Sequence, residues 1–234
     1  VGHVVGDLPG LDHVVLCRAA GRDAREQGGV AVADEVKNPL PDQPAPAFVP
    51  LPCGPDEFGY QCADECVYEF IDISSTGTFI VEGDDVGAVV TLDMPFTLYG
   101  VAYNDLVFAS NGYLSTDPTD TGGDLTNDCP LPDDPSTGGG ARIYPLHDDL
   151  DLEAGIGSGY VEYFEVCPRP GRMGDEPCTI FMWNDVAHYP GGPDAATWDQ
   201  EVILYHMSGD IAFQIGAGNP ELGSSSTTGL MNED

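Results

Sequence analysis

Apolar and polar residues alternate along several short segments in the second half of the chain. The clearest cases are residues 160–165, 200–205 and 211–215. Successive side chains of a strand point to opposite faces, so this period of two predicts strands that bury one face. No long segment shows the period of about 3.6 residues that is expected of an amphipathic helix.

Turns that contain glycine or proline separate the candidate strands. These strands are residues 67–73, 78–81, 88–92, 96–99, 105–110, 112–115, 142–146, 159–166, 179–184, 197–206, 210–215 and 227–231. Many short strands joined in this way are typical of antiparallel sandwiches and barrels. We therefore predict an all-β fold, an antiparallel β-sandwich that is jelly-roll-like and carries an extended N-terminal arm.

A strong turn signal lies in the middle of the chain, where Asn111-Gly112 separates two apolar segments. Asn-Gly favours the positive φ angles of a tight turn, so this dipeptide predicts a hairpin. An acidic loop follows at residues 117–134. A short apolar segment, residues 143–147, then leads into further carboxylates. Residues 98–152 are therefore the stretch in which we place the candidate site.

The first 66 residues differ in pattern from the rest. We divide the chain into an arm with a proline-rich linker (1–52), a cysteine-rich junction (53–66) and a β-sandwich domain (67–234). The prolines predict a stiff, extended linker. An apolar extended arm can add a strand to a sheet edge, either on its own domain or on a neighbouring molecule. The predicted docking residues are Val4, Val5, Val14, Val15 and Leu16.

The chain is strongly acidic, with 7 basic residues against 40 acidic residues and a net charge of -33. Such a surface repels nucleic acids and anionic membranes and attracts cations. No apolar run is long enough to form a membrane-spanning helix. We therefore expect no nucleic-acid partner and no membrane span.

Cysteine usage predicts an oxidising, extracellular or cell-surface setting, because 7 cysteines occur in an acidic chain rich in glycine and proline. Cys167 and Cys178 flank a predicted hairpin, so we expect a disulfide between them. The C-x8-C-x3-C spacing in residues 53–66 lacks the paired C-x2-C knuckles of zinc sites and favours a disulfide knot. The other cysteines available for bridges, with their connectivity open, are Cys53, Cys62, Cys66, Cys17 and Cys129.

Several segments occur in an order that resembles a β-sandwich module of secreted bacterial proteins. They are YEFIDISSTG at 68–77, a Gly-Asp-Asp turn at 83–85, PFTLYG at 95–100, SNGY at 110–113, NDCPLP at 127–132, YPLHDDL at 144–150, IFMWNDV at 180–186, QEVILY at 200–205 and TTGL at 227–230. The resemblance covers residues 67–234, and the chain more distantly resembles the nidogen-type extracellular domain. Leu146-His147 replaces an aromatic-Trp pair of the family pattern. The resemblance implies a non-catalytic accessory or surface module.

The acidic residues offer a candidate calcium site. Calcium takes six to eight oxygen ligands, several of them carboxylates, from compact or facing loops. The alternative is that these acids are solvated or cap backbone amides at turns. The predicted metal ligands are Asp148, Asp149, Asp151, Asp120, Asp124 and Asp128.

Two other site types are weaker hypotheses. His147 beside Asp148, with Ser110 elsewhere, could be drawn as a hydrolase triad, but no nucleophile-elbow motif supports it. Trp183 and Trp198 could form a carbohydrate platform, but as residues on or beside strands they are more readily explained as core.

The sequence therefore favours a non-enzymatic extracellular protein with a structural or adhesive role. We predict a self-assembling subunit of a surface filament or coat, a homo-oligomer or polymer in which the arm docks on a neighbouring subunit and calcium or salt neutralises the acids. The alternative is a monomeric secreted module that binds a carbohydrate or a protein.

Overall fold

The computed structural model describes residues 13–18, 58–63, 68–127, 131, 135–153, 157–169, 174–192, 194–219 and 226–232; for residues 13–18 and 61–63 it describes the backbone. Within these ranges all regular secondary structure is strand. The strands are β1 (His13–Arg18), β2 (Gln61–Ala63), β3 (Thr78–Val81), β4 (Gly83–Asp84), β5 (Gly87–Leu98), β6 (Val101–Ala109), β7 (Tyr113–Ser115), β8 (Arg142–His147), β9 (Leu150–Leu152), β10 (Ser158–Phe164), β11 (Cys178–His188), β12 (Thr197–Tyr205), β13 (Ile211–Ile215) and β14 (Thr227–Met231).

The strands form two sheets. The larger has the order β2-β1-β13-β12-β11-β10-β3, and the short strands β4 and β9 join it through the β9–β11 pairing. The smaller has the order β14-β8-β7-β6-β5. Strands β5 to β8 and β10 to β13 are consecutive antiparallel neighbours. The predicted all-β antiparallel sandwich is confirmed.

The main core lies between the two sheets. Phe108 of the smaller sheet meets Trp183 of the larger sheet edge to face, with ring centroids 4.3 Å apart. The indole Nε1–H of Trp183 donates to the Ala109 carbonyl at 2.8 Å. Both Trp183 and Trp198 are buried, as expected for core residues rather than an exposed platform. Burial of such large side chains supplies most of the stabilisation of a two-layer fold.

A second apolar cluster covers the opposite face of the larger sheet. It contains Ile180, Met182, Ile203 and Ala212, and Ile73 from the segment before β3 packs on it. The sequence pattern predicted a strand at 67–73, and this prediction is wrong for residues 68–73, which form no strand. Their apolar residues pack on the outer face of the sheet instead of extending its edge.

Other strand boundaries differ from the prediction in ways that have a physical reason. The predicted strands 88–92 and 96–99 are one strand, β5, with a register shift between Thr91 and Phe96 at its pairing with β6. Pro95 lies in that irregular stretch, where a missing backbone donor is tolerated. Strands β4 and β9 were not predicted because two or three residues give no readable alternation.

The arm strand β1 lies on the larger sheet of its own chain. It pairs in parallel with β13, from Val14 opposite Ile211 to Arg18 opposite Ile215, and in parallel with β2. This is one of the two docking alternatives. Val4 and Val5 lie outside the described residues, and the predicted domain boundaries stay a prediction. No helix in the described ranges has the length and hydropathy needed to cross a lipid bilayer.

Candidate cation site

Three carboxylates meet where β4 and β9 pair. Asp84 is opposite Asp151 in this pairing, Asp85 follows Asp84, and Asp149 precedes β9. Asp84, Asp85 and Asp149 each offer an oxygen, and these oxygens lie within 4.8 Å of one another. All three residues are partly exposed. The arrangement is therefore an open group of hard oxygen donors, which is the ligand type that calcium prefers.

Asn111 fixes the geometry of this group from inside the fold. Its side-chain Nδ2 donates to Asp85 Oδ1 at 2.8 Å, and its Oδ1 accepts from the Leu150 amide at 2.9 Å. The next residue, Gly112, has a φ of 77°, and a Cβ added there would lie 2.2 Å from the Leu146 carbonyl oxygen. The Asn111-Gly112 turn, which the sequence predicted between β6 and β7, thus also holds the two acidic loops together.

The acids raise one another's pKa. Burial first, and then the charges of Asp85, Asp151, Asp149 and Glu153, together raise the pKa of Asp84 to about 6. Burial and then Asp85 also raise the pKa of Asp149, whereas His188 opposes the shift. Asp84 Oδ1 is buried and has no hydrogen-bond partner among the described residues. The group therefore gains from binding a proton or a cation.

Two of the predicted ligands next to this group use their oxygens elsewhere. Asp148 Oδ1 accepts from Asn127 Nδ2 at 3.2 Å and from the Asp149 amide at 3.0 Å. Asp151 accepts from the Glu153 amide at 2.7 Å and from the Gly191 amide at 3.1 Å. Asp148 and Asp151 thus brace the loops, and only Asp149 of the three lies in the cluster.

The other predicted group is held by an arginine. Arg142 is fully buried, and its guanidinium pairs with Asp120 at 2.8 Å and with Asp124 at 3.1 Å. The Tyr113 hydroxyl donates to Asp120 at 3.1 Å, and the guanidinium lies over the Tyr113 ring at 4.4 Å. Asp120 and Asp124, which the sequence predicts as metal ligands, therefore lie against a protein cation that occupies the space between them. Asp128 lies outside the described residues.

The remaining contacts of Asp124 are those of an ionised carboxylate. Burial opposes its ionisation, but hydrogen bonds from Ser136, the Thr126 and Thr137 amides and Arg142 outweigh burial and lower its pKa. Arg142 also donates to the Thr137 carbonyl. This network ties the acidic loop to β7 and β8 from within, so its role is structural.

His147 is not paired with Ser110 as a hydrolase triad would require. Its Nδ1 lies 2.8 Å from the Asn111 carbonyl oxygen and its Nε2 lies 3.0 Å from the Thr126 carbonyl oxygen. The Ser110 hydroxyl accepts from the Val86 amide at 3.1 Å. His147 is thus a buried histidine that joins two loops.

A cleft of about 420 Å³ lies at the open side of the sandwich, between β3 and β10 of one sheet and β5 of the other. Its lining combines apolar side chains such as Ile80 and Val161 with the hydroxyls of Thr78 and Thr91. It carries the acids Asp93 and Glu162. No local pattern in the sequence predicts this cleft, because it forms between two different sheets, where β3 and β10 lie near β5.

The predicted bridge between Cys167 and Cys178 is confirmed. Of the other cysteines, Cys17 and Cys62 lie in β1 and β2, of which the backbone is described, and Cys53, Cys66 and Cys129 lie outside the described residues. Their pairing stays a prediction.

Fold, disulfide and acidic loops define an extracellular-type β-sandwich module. Residues 59–233 match the family model described as NIDO related. The chain therefore belongs to the NIDO-related family, which confirms the distant nidogen-type relationship. Members of this family of extracellular domains are generally non-enzymatic. No curated protein and no solved structure gave a significant match.

Proposed function

We propose that this chain is a non-catalytic extracellular module that binds calcium through Asp84, Asp85 and Asp149 and assembles with copies of itself through its arm. The observation that carries the proposal is the convergence of three carboxylates from two loops, with oxygens within 4.8 Å of one another. The NIDO-related family supports the extracellular setting, where free calcium is abundant enough for weak sites to fill.

The chemistry of the donor set fits a calcium ion. Three carboxylates can supply most of the six to eight oxygens that calcium takes, and water can complete the shell. Asp84 Oδ1 is a buried oxygen without a described partner, and a cation would satisfy it. Neutralising the group also removes the repulsion that raises the pKa of Asp84 and Asp149.

Calcium-dependent melting tests this site. A ligand that binds only the folded state at about 100 times its Kd stabilises that state by about 2.7 kcal/mol, so calcium is expected to raise Tm. Asp84→Asn and Asp149→Asn should abolish most of the rise. Asp175→Asn removes an exposed acid outside the cluster and is the matched control. Equal calcium shifts in all four proteins would refute the site.

Assembly through the arm is supported by the position of β1. It contributes a strand beside β13, and the same edge could take β1 from another copy, which is strand exchange between molecules. A net charge of -33 makes copies repel each other, so assembly should require calcium or salt. In this proposal β1 joins the copies, and calcium at the cation site reduces the repulsion between them.

Light scattering on the purified chain tests this assembly. Particles larger than a monomer are expected when calcium is added. Val15→Pro should prevent them, because β1 is paired on both sides and proline removes one ladder donor. Monomers of the unchanged protein in every calcium and salt condition would contradict self-assembly.

The cleft between β3, β10 and β5 supports the alternative of a monomeric ligand-binding module. Its mixture of threonine hydroxyls, two acids and apolar side chains suits a sugar or a peptide. If the protein is monomeric throughout, a glycan and peptide array tests this second function, and Thr91→Val is the variant expected to weaken binding.

A further inference from the structure

The outer face of the larger sheet carries an unusual attachment. Residues 68–73 cross this face without forming a strand, yet two of their amides are hydrogen-bonded to it. The Ile71 amide lies 3.2 Å from each carboxylate oxygen of Glu201. The Glu69 amide donates to Gln214 Oε1 at 3.1 Å. The segment is therefore held by side chains where a neighbouring strand would use its backbone.

The two attaching side chains sit side by side. Glu201 of β12 and Gln214 of β13 are opposite each other in the strand pairing, and both are fully buried. Gln214 Nε2 is buried without a hydrogen-bond partner in the described part of the chain. We call the Glu201–Gln214 pair the clasp. Because Glu69 and Ile71 are two residues apart, their amides point the same way along an extended segment. The Glu69 amide therefore reaches Gln214 and the Ile71 amide reaches Glu201.

The surroundings of Glu201 make its charge unfavourable. Asp199 on the same strand and Asp72 on the crossing segment repel a carboxylate there, and Arg169 attracts it. Among the described residues, Tyr68 and Tyr205 also lie within electrostatic reach of Glu201, and Glu69 is on the crossing segment. Glu69 lies 4.0 Å from Arg169, so the attraction of this arginine is shared between Glu69 and Glu201.

We propose that the clasp is pH-sensitive: it holds residues 68–73 on the sheet when Glu201 is protonated and releases them when Glu201 ionises. The neutral carboxyl can stay buried and still accept from the Ile71 amide through its carbonyl oxygen. The carboxylate needs water, and water can reach it only if the covering segment moves away. Residues 68–73 lead from the cysteine-rich junction towards β3, so release frees the segment before β3 while β1 stays paired with β13.

The direction of the pH effect follows from linkage. Burial raises the pKa of Glu201 from 4.5 to about 8, against the opposing effects of the Ile71 amide and Arg169. A released, hydrated Glu201 ionises at its ordinary value. The clasp is therefore strongest below about pH 4.5 and weakens as the pH rises towards 8. Within this window each unit of pH lowers the ratio of closed to open forms by up to about tenfold.

Hydrogen exchange on the full oxidised chain between pH 5.5 and 8.5 tests the clasp. Protection factors, corrected for the intrinsic pH dependence of exchange, should fall up to about tenfold per pH unit for residues 68–73 and stay high for β11. In Glu201→Gln the protection of residues 68–73 should not change with pH. Glu165→Gln, which removes an exposed acid, is the matched control and should behave as the unchanged protein.

Two results would overturn the proposal. One is the same pH dependence in the unchanged chain and in Glu201→Gln. The other is a parallel loss of protection in β11, which would mean global unfolding.

If Glu201→Gln does not fold, Asp199→Asn replaces it. This variant keeps the Glu201 carboxyl and removes the charge of Asp199 that repels it. Residues 68–73 should therefore be better protected from exchange at pH 8 than in the unchanged chain. Equal protection there would also overturn the clasp.

Discussion

Replacing Arg142 with methionine tests whether a guanidinium does the work predicted for a metal ion between Asp120 and Asp124. Arg142 is fully buried, and the two carboxylates that it pairs with are 2% and 1% exposed. Methionine keeps much of the apolar stem and removes the charge. Two buried carboxylates are then left without their cation.

The expected loss is large relative to the stability of a domain of this size. Breaking a buried ion pair by removing one partner costs about 3–5 kcal/mol, and typical domains are stable by about 5–15 kcal/mol. Arg142→Lys restores the charge but not the two-pronged geometry, so its loss should be smaller than that of Arg142→Met but not zero. Arg169→Met is the comparison variant: the Arg169 side chain is 13% exposed, but its partner Glu69 is 62% exposed and 4.0 Å away, so its loss should cost less than that of Arg142.

Urea unfolding at pH 7 and at pH 4 measures these losses. Hydrogen bonds that include those from Arg142 lower the pKa of Asp124 in the native fold. A group with a lowered folded pKa contributes stability at neutral pH that is lost as the pH falls through that pKa. Without Arg142 the burial of Asp124 is no longer offset to the same extent, so its pKa rises and it can bind a proton at pH 4. The variant should therefore differ most from the native chain at pH 7 and less at pH 4. A loss no larger than that of Arg169→Met, or one independent of pH, would refute the reasoning.

Three further changes test the rest of the fold and the site. Gly112→Ala should cost about 3 kcal/mol in thermal unfolding, because its φ is positive and a Cβ would meet the Leu146 carbonyl; an unchanged Tm would contradict this. Replacing Cys167 and Cys178 by serine should cost about 3 kcal/mol by the entropy of a loop with a separation of 11 residues, and denaturant curves under oxidising conditions that coincide with the native one would contradict it. Asp84→Asn should stabilise the calcium-free protein above pH 6 and not below pH 4, because the raised pKa of Asp84 means that its contribution is lost as the pH rises; equal Tm differences at both pH values would argue against it.

Features that depend on neighbouring residues could be predicted from the sequence. Asn111-Gly112 gave the hairpin between β6 and β7, because the turn geometry is fixed by the two residues themselves. The bridge between Cys167 and Cys178 followed from a short intervening hairpin. The alternation in 211–215 predicted β13, although both faces of this strand are buried: Ile211, Phe213 and Ile215 pack in the main core and Ala212 in the second cluster. Each of these signals lies within about a dozen residues.

Features that depend on distant pairings could not be predicted in the same way. Asp84 and Asp85 were read as a turn, and only the pairing of β4 with β9 brings them to Asp149. Residues 68–73 have the alternation of a strand, but their amides find Glu201 and Gln214 instead of a strand edge. Local pattern fixes which residues can be extended. It does not fix what completes their hydrogen bonds.

The two acidic groups show why cation chemistry was the hardest part to predict. In sequence both are aspartates in glycine-containing loops, and the difference lies in where the chain places its few basic residues. In the described part of the chain from residue 68 onward, Lys and Arg are represented by Arg142 and Arg169. Arg142 is committed to Asp120 and Asp124 inside the fold, so those acids have no need of an external ion. Asp84, Asp85 and Asp149 face each other with raised pKa values for Asp84 and Asp149, and any metal cation that neutralises them must come from the surrounding medium.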